Sequence, residues 1–125
     1  MSSGLTFDLA IASDEPGSSW TLNNPSLGNG ASWAQPPEKS IPPFGPIQYK
    51  IESGDNGFQP CYLDFTCAGT EILITCSWDG TGQNLIVKAK ENSSPEQILY
   101  EKNPGNTGKV EYKINLNSPF QSVSC

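Results

Sequence analysis

The stretch Cys61–Trp78, CYLDFTCAGTEILITCSW, alternates apolar and polar side chains on both sides of a short break at Ala68-Gly69. The apolar set of the first half is Cys61, Leu63, Phe65 and Cys67, and that of the second half is Ile72, Ile74, Cys76 and Trp78. Alternation with a period of two is typical of a strand with one buried face. The stretch therefore predicts an antiparallel hairpin with one apolar face.

The length of the turn decides the register of this hairpin. A two-residue turn at Ala68-Gly69 places Cys61 directly opposite Cys76, whereas a four-residue loop separates the two cysteines. Ala-Gly is not the dipeptide that two-residue hairpin turns favour. Both registers stay open at this point.

The rest of the chain repeats the same alternation between turn residues. Further strands are expected at 5–11, 47–51, 85–89 and 110–116. Short strands are expected at Ile98–Tyr100 and at Trp20–Leu22, the latter ended by Asn23-Asn24-Pro25. No helical periodicity is present, and turn signals are frequent. We expect an all-β fold, an antiparallel β-sandwich of about eight or nine short strands that forms a single domain over residues 1–125.

Composition excludes several classes of function. The 125 residues carry a formal net charge of −6, which disfavours nucleic acid as a partner. Histidine is absent, so His-based catalysis and His metal sites are excluded. The carboxylates show no spacing that singles out a catalytic pair. We therefore expect a protein that is not an enzyme and that uses no cofactor or metal.

The N-terminal residues 1–13 alternate in polarity and contain no basic region, unlike a signal peptide. No run reaches the roughly 20 apolar residues of a membrane-spanning helix. We expect a protein that is cytoplasmic or released without a leader.

The four cysteines fall mostly on apolar faces and form no C-x-x-C pair. Core packing or a structural disulfide is the favoured interpretation. With the two-residue turn, Cys61 and Cys76 form a cross-strand disulfide in an oxidising compartment. Cys125 is either free or paired with Cys67.

The run Ser32–Pro46, SWAQPPEKSIPPFGP, is rich in proline, which lacks the N–H that a sheet ladder needs. It predicts a stiff surface segment outside the centre of any sheet. Its P-x-x-P pattern suits an SH3-type groove, but its position between strands favours a rigid connection within the fold.

Trp33 and Phe44 lie in this run, Phe58 adjoins another loop, and Trp78 lies on the apolar face of its strand. Loop aromatics suit a lipid head group, the membrane interface or a sugar ring. They also suit a lid that closes the end of the core. We take Trp33, Phe44, Phe58 and Trp78 as candidate ligand contacts and leave the two interpretations open.

Several segments resemble the aegerolysin-like family, which includes the aegerolysins and the small component of binary insecticidal crystal proteins. The resemblance covers about Leu5 to Leu116. Its carriers are Gly30-Ala31-Ser32-Trp33, Pro36-Pro37, Ile41-Pro42-Pro43, Ile47-Gln48-Tyr49-Lys50 and Ser53 through Phe58.

The resemblance implies a β-sandwich that binds membrane lipid, often sphingolipid, and acts with a larger protein partner to form pores. It carries over Trp33 and Trp78 as lipid-contacting residues and implies peripheral membrane association. The alternative function is carbohydrate binding through the same aromatic side chains.

Overall fold

The computed structural model describes residues 4–13, 19–44, 46–105 and 108–120. Ten strands and no helix occur among these residues. The strands are β1 Leu5–Ala12, β2 Trp20–Ser26, β3 Ala31–Trp33, β4 Ser40–Ile41, β5 Ile47–Ser53, β6 Phe58–Cys67, β7 Thr70–Trp78, β8 Leu85–Glu91, β9 Gln97–Lys102 and β10 Lys109–Asn115.

The strands form two packed sheets, as the alternating sequence predicts. The small sheet has the order β10-β1-β5-β3 and the large sheet the order β4-β2-β6-β7-β8-β9. The apolar faces of both sheets meet in one core. The predicted β-sandwich is confirmed, and the strand number exceeds eight or nine because the proline-rich run contributes two short strands, β3 and β4.

The central hairpin β6–β7 adopts the register with the two-residue turn. Cys61 pairs with Cys76, and Leu63 pairs with Ile74. Ala68 and Gly69 both have positive φ, 47° and 85°. Two successive positive φ values are typical of a type I′ turn, whose twist matches that of the flanking strands. The turn thus forms although alanine stands where asparagine is usual.

One neighbouring pair departs from the antiparallel pattern. β1 and β10 run parallel, with Phe7 opposite Val110 and Ile11 opposite Ile114. Parallel neighbours need a long connection between them, and here nearly the whole chain separates the first strand from the last. The pairing places β10 at the edge of the small sheet, and apolar side chains from both ends of the sequence enter the core.

The loops gather at the two ends of the sandwich. At one end lie the segments 27–30, 54–57, 79–84 and 103–105, which are rich in glycine, and we call it the glycine end. At the other end lie the segments 34–39 and 42–44, Pro46, the hairpin turn and residues 116–120, and we call it the proline end. The two ends are therefore separated by the length of the strands.

Candidate functional site

The proline end is built by the run Ser32–Pro46, which crosses the open side of the sandwich. It leaves β3 at the edge of the small sheet, forms β4 at the edge of the large sheet, and returns to β5. Both short strands are edge strands, where a missing N–H does not break a ladder. The run therefore connects strands of the two sheets within the fold.

Tyr49 anchors this segment from inside the core. Its side chain is fully buried, and its hydroxyl donates a 2.5 Å hydrogen bond to the backbone oxygen of Glu38. Its ring packs on Trp33 and Phe65 at centroid distances of 6.1 Å and 5.9 Å. Burial, with a smaller contribution from the Glu38 charge, raises the pKa of Tyr49 far above its usual range. The hydroxyl therefore keeps its proton and its hydrogen bond.

Phe44 is the most exposed large apolar side chain described, with 64% of its surface open to solvent. Its φ is 67°, a conformation that residues with a side chain rarely adopt. The Phe44 backbone N–H donates a 2.6 Å hydrogen bond to the Ser13 carbonyl oxygen, which fixes the backbone in place. Pro42 and Pro46 beside it are also exposed. We call these three exposed apolar residues, Pro42, Phe44 and Pro46, the apolar tip.

The other three candidate aromatics are less exposed than Phe44. Trp33 is half-buried against the core, and Phe58 and Trp78 are 5% and 4% exposed. Phe58 and Trp78 face each other across β6 and β7 at the glycine end. The predicted ligand contacts are thus divided between the two ends, and Phe44 is the only one of the four that is mainly exposed.

A polar groove of about 310 Å³ lies above Phe58 and Trp78 at the glycine end. Its exposed polar side chains are Asn29, Asn56, Gln59 and Asp79. Sequence reasoning did not assign these residues a role. Asn and Asp between glycines indicate turns, and the sequence alone does not show that three separate turns meet.

Close backbone packing brings these turns together. A Cβ on Gly57 would overlap the Trp78 carbonyl oxygen, and one on Gly30 would overlap the Gly57 carbonyl oxygen. The Gln59 N–H also donates a 2.9 Å hydrogen bond to the Asn29 carbonyl oxygen. Glycine is therefore required at the points where the loops touch.

Cys61 and Cys76 are fully buried free thiols that hydrogen-bond to each other. This bond lowers the pKa of Cys61, assisted by the Gly28 N–H at 3.3 Å from its Sγ, and raises that of Cys76. Cys67 is also free and half-buried, whereas Cys125 lies outside the described residues. The Cys61–Cys76 disulfide stays a prediction, now with the register that it requires.

The outer face of the large sheet brings two carboxyls together. Asp64 faces Leu73, so Glu71 is its diagonal neighbour across the hairpin, and the two carboxyl groups are hydrogen-bonded. Burial is the main cause that raises the pKa of Asp64 to about 6, and Glu71 adds to it. We assign this pair an effect on stability rather than on a substrate.

Replacing Asp64 by asparagine should stabilise the protein at pH 7.5 and leave its stability unchanged near pH 4. A raised pKa means that the folded state binds this proton more tightly, so its stabilising contribution is complete below the usual value of 3.8 and is lost as the pH rises past about 6. After allowance for solvent screening, we expect a gain of about 1 kcal/mol at pH 7.5 in urea unfolding. Asp79→Asn controls for net charge, and an equal gain at both pH values would contradict the prediction.

No group of three or more Cys, Asp or Glu side chains in the described ranges is arranged to hold a metal ion. The same ranges contain no helix of the length and apolarity needed to cross a membrane. Compared with known proteins, the chain matches no family model and no curated sequence.

Proposed function

We propose that the protein is a non-enzymatic, peripheral membrane-lipid-binding module that contacts the bilayer through the apolar tip at the proline end. The observation that carries this proposal is the exposure of Phe44 on a backbone held by Ser13 and flanked by prolines. A segment whose backbone is held in this way loses less free energy to ordering when its aromatic side chain enters the interface. The resemblance to aegerolysin-like proteins supports the same function.

The expected affinity of this tip is modest. Full burial of one phenylalanine side chain contributes about 1.5–3 kcal/mol, and the two exposed prolines add apolar area. The net charge of −6 disfavours anionic lipid. Stable binding therefore needs a zwitterionic head group that the protein recognises, and sphingolipid is the class that the resemblance implies. A larger partner for pore formation belongs to the same proposal.

Sedimentation with vesicles tests the function. We expect the protein to pellet with sphingomyelin–cholesterol or ceramide-phosphoethanolamine vesicles. Phe44→Asp should lose about tenfold or more in affinity, because burial of a carboxylate among apolar lipid groups is costly. Phe44→Trp should retain binding, since tryptophan suits the interface.

Ile98→Asp is the matched control, because Ile98 is 55% exposed but lies on β9, at the far edge of the large sheet from β4. It should bind like the unaltered protein. The proposal fails if the unaltered protein binds neither vesicle, or if Phe44→Asp binds as well as Ile98→Asp does.

A further inference from the structure

We propose that the glycine end is a separate binding site for a neutral oligosaccharide, whose hydroxyl groups are bound by Asn29, Asn56, Gln59 and Asp79. This site lies at the opposite end of the sandwich from Phe44 and uses none of its residues. It differs from carbohydrate binding by exposed aromatic rings, because hydrogen bonds make the main contacts.

The groove presents several polar side chains whose hydrogen-bonding groups are unused among the described residues. All four side chains are exposed, and none forms a hydrogen bond or an ion pair with another described residue. Each carboxamide offers a donor and an acceptor, and the Asp79 carboxylate offers acceptors only. A sugar hydroxyl both donates and accepts, so this mixture of groups suits pairs of neighbouring hydroxyls.

The backbone beneath these side chains is held in place by close packing between the loops. Gly30, Gly57 and Gly80 pack against neighbouring backbone at distances that no side chain would fit. The Thr81 N–H donates a 2.9 Å hydrogen bond to the Asp55 carbonyl oxygen, which joins two of the loops. A ligand therefore meets preorganised groups and loses less free energy to loop ordering.

The lining of the groove disfavours large apolar ligands and anionic sugars. Phe58 and Trp78 form its floor but are almost completely buried, and the Trp78 indole N–H already donates to the Gln83 carbonyl oxygen at 3.1 Å. A large apolar ligand would thus find little exposed ring surface. The Asp79 carboxylate and the net charge of −6 disfavour an anionic sugar. A neutral, hydroxyl-rich ligand remains the best match.

The groove continues into a neighbouring depression. A second depression of about 350 Å³ adjoins the first at Gly30, and its polar lining residues are Thr6, Ser32, Glu52 and Ser53. The two depressions together offer hydrogen-bonding groups over more than a single sugar ring. We therefore infer an oligosaccharide and not a monosaccharide as the ligand.

The test is a nuclear magnetic resonance titration of the full chain, labelled with ¹⁵N, against cellotriose, maltotriose, mannotriose and triacetylchitotriose at up to about 10 mM, a range suited to millimolar binding. We expect at least one trisaccharide to shift the side-chain amide signals of Asn29, Asn56 and Gln59 and the backbone signals of Gly30 and Gly57. The Phe44 signal should not move. The absence of a shift with all four sugars, or shifts confined to other residues, would overturn the proposal.

Variants separate this site from the lipid-binding tip. Asn56→Ala and Asp79→Ala should each weaken the sugar response about tenfold, since each removes a hydrogen-bonding group. Gln97→Ala removes an exposed carboxamide at the other end of β9 and should leave the response unchanged. Phe44→Asp should also leave it unchanged, so a failure of lipid binding and a failure of sugar binding are distinguishable. Equal responses of Asp79→Ala and Gln97→Ala would contradict the assignment.

Discussion

Replacing Gly57 by alanine is expected to destabilise the protein by roughly 3–5 kcal/mol. Two causes act together. Gly57 has a φ of 84°, which costs an alanine about 1–2 kcal/mol. The new Cβ would also overlap the Trp78 carbonyl oxygen and crowd the Gly80 backbone nitrogen. Both neighbours are backbone atoms, so no side-chain rotation can relieve the overlap.

Two other glycines at the same end separate these causes. Gly82 has a φ of 87° but no atom near its added Cβ, so Gly82→Ala should cost only about 1–2 kcal/mol. Gly54 has neither a positive φ nor a close neighbour, so Gly54→Ala should be neutral or stabilise by up to about 1 kcal/mol. Thermal unfolding should give a fall of more than about 10 °C for Gly57→Ala alone. A similar melting temperature for Gly57→Ala and Gly82→Ala would show that the loops do not pack as described.

The longer strands were predictable because each alternates apolar and polar side chains. Alternation along 61–67 and 72–78 predicted the core face of the central hairpin, and the structure buries that face. The sequence left two possible registers for this hairpin, because facing residues must place both apolar sets on the same face of the sheet. The choice between them depended on Ala68 at positive φ, which its side chain does not favour.

Features that depend on distant partners could not be predicted in the same way. Asn23-Asn24-Pro25 was expected to end β2, and that expectation was wrong, because the strand continues to Ser26 through an irregular register and an Asn24 φ of 43°. A bulge accepts both a positive φ and a proline. The parallel pairing of β1 with β10 likewise joins residues 103 positions apart, such as Thr6 and Lys109. A single sequence holds no local signal for such a pairing.

The candidate site also depends on residues that are distant in the sequence, so it could not be predicted in full. A loop position in the sequence did not decide exposure, since Phe58 begins β6 and is buried against Trp78, whereas Phe44 is exposed. The polar groove at the glycine end arises where three turns meet. Turn residues can be identified one turn at a time, but their meeting depends on the tertiary fold. The Asp64–Glu71 contact, in contrast, follows from the hairpin register once the turn is known.

Oxidation of the Cys61–Cys76 pair is the second change for which we expect a large effect. The two residues face each other across β6 and β7, and their thiols are already in contact. With glutathione disulfide as oxidant, each thiol loses its hydrogen, one S–S bond forms, and the two electrons reduce the oxidant to two glutathione thiols. The new bond closes a loop of about 15 residues, which in the chain-entropy model stabilises the fold by about 3 kcal/mol.

Burial of both thiols determines how this oxidation proceeds. Neither side chain is exposed, so glutathione disulfide must reach Cys61 during local opening of the hairpin, and we expect slow oxidation that mild urea accelerates. Cys61 is the expected attacking group, because the Cys76 hydrogen bond lowers its pKa and favours the thiolate. Peptide mass mapping should find Cys61 joined to Cys76, and the melting temperature should rise by about 10 °C on oxidation.

The three described cysteines supply matched controls for this prediction. Cys67→Ser leaves the pair intact and should show the full rise in melting temperature, whereas Cys76→Ser should show none. The comparison is made between oxidised and reduced forms of the same variant, so that any loss of core packing in Cys76→Ser cancels. If oxidised and reduced forms of the unaltered chain unfold at the same temperature, or if Cys61 is found joined to another cysteine, the pair is a packing contact and not a redox-sensitive crosslink.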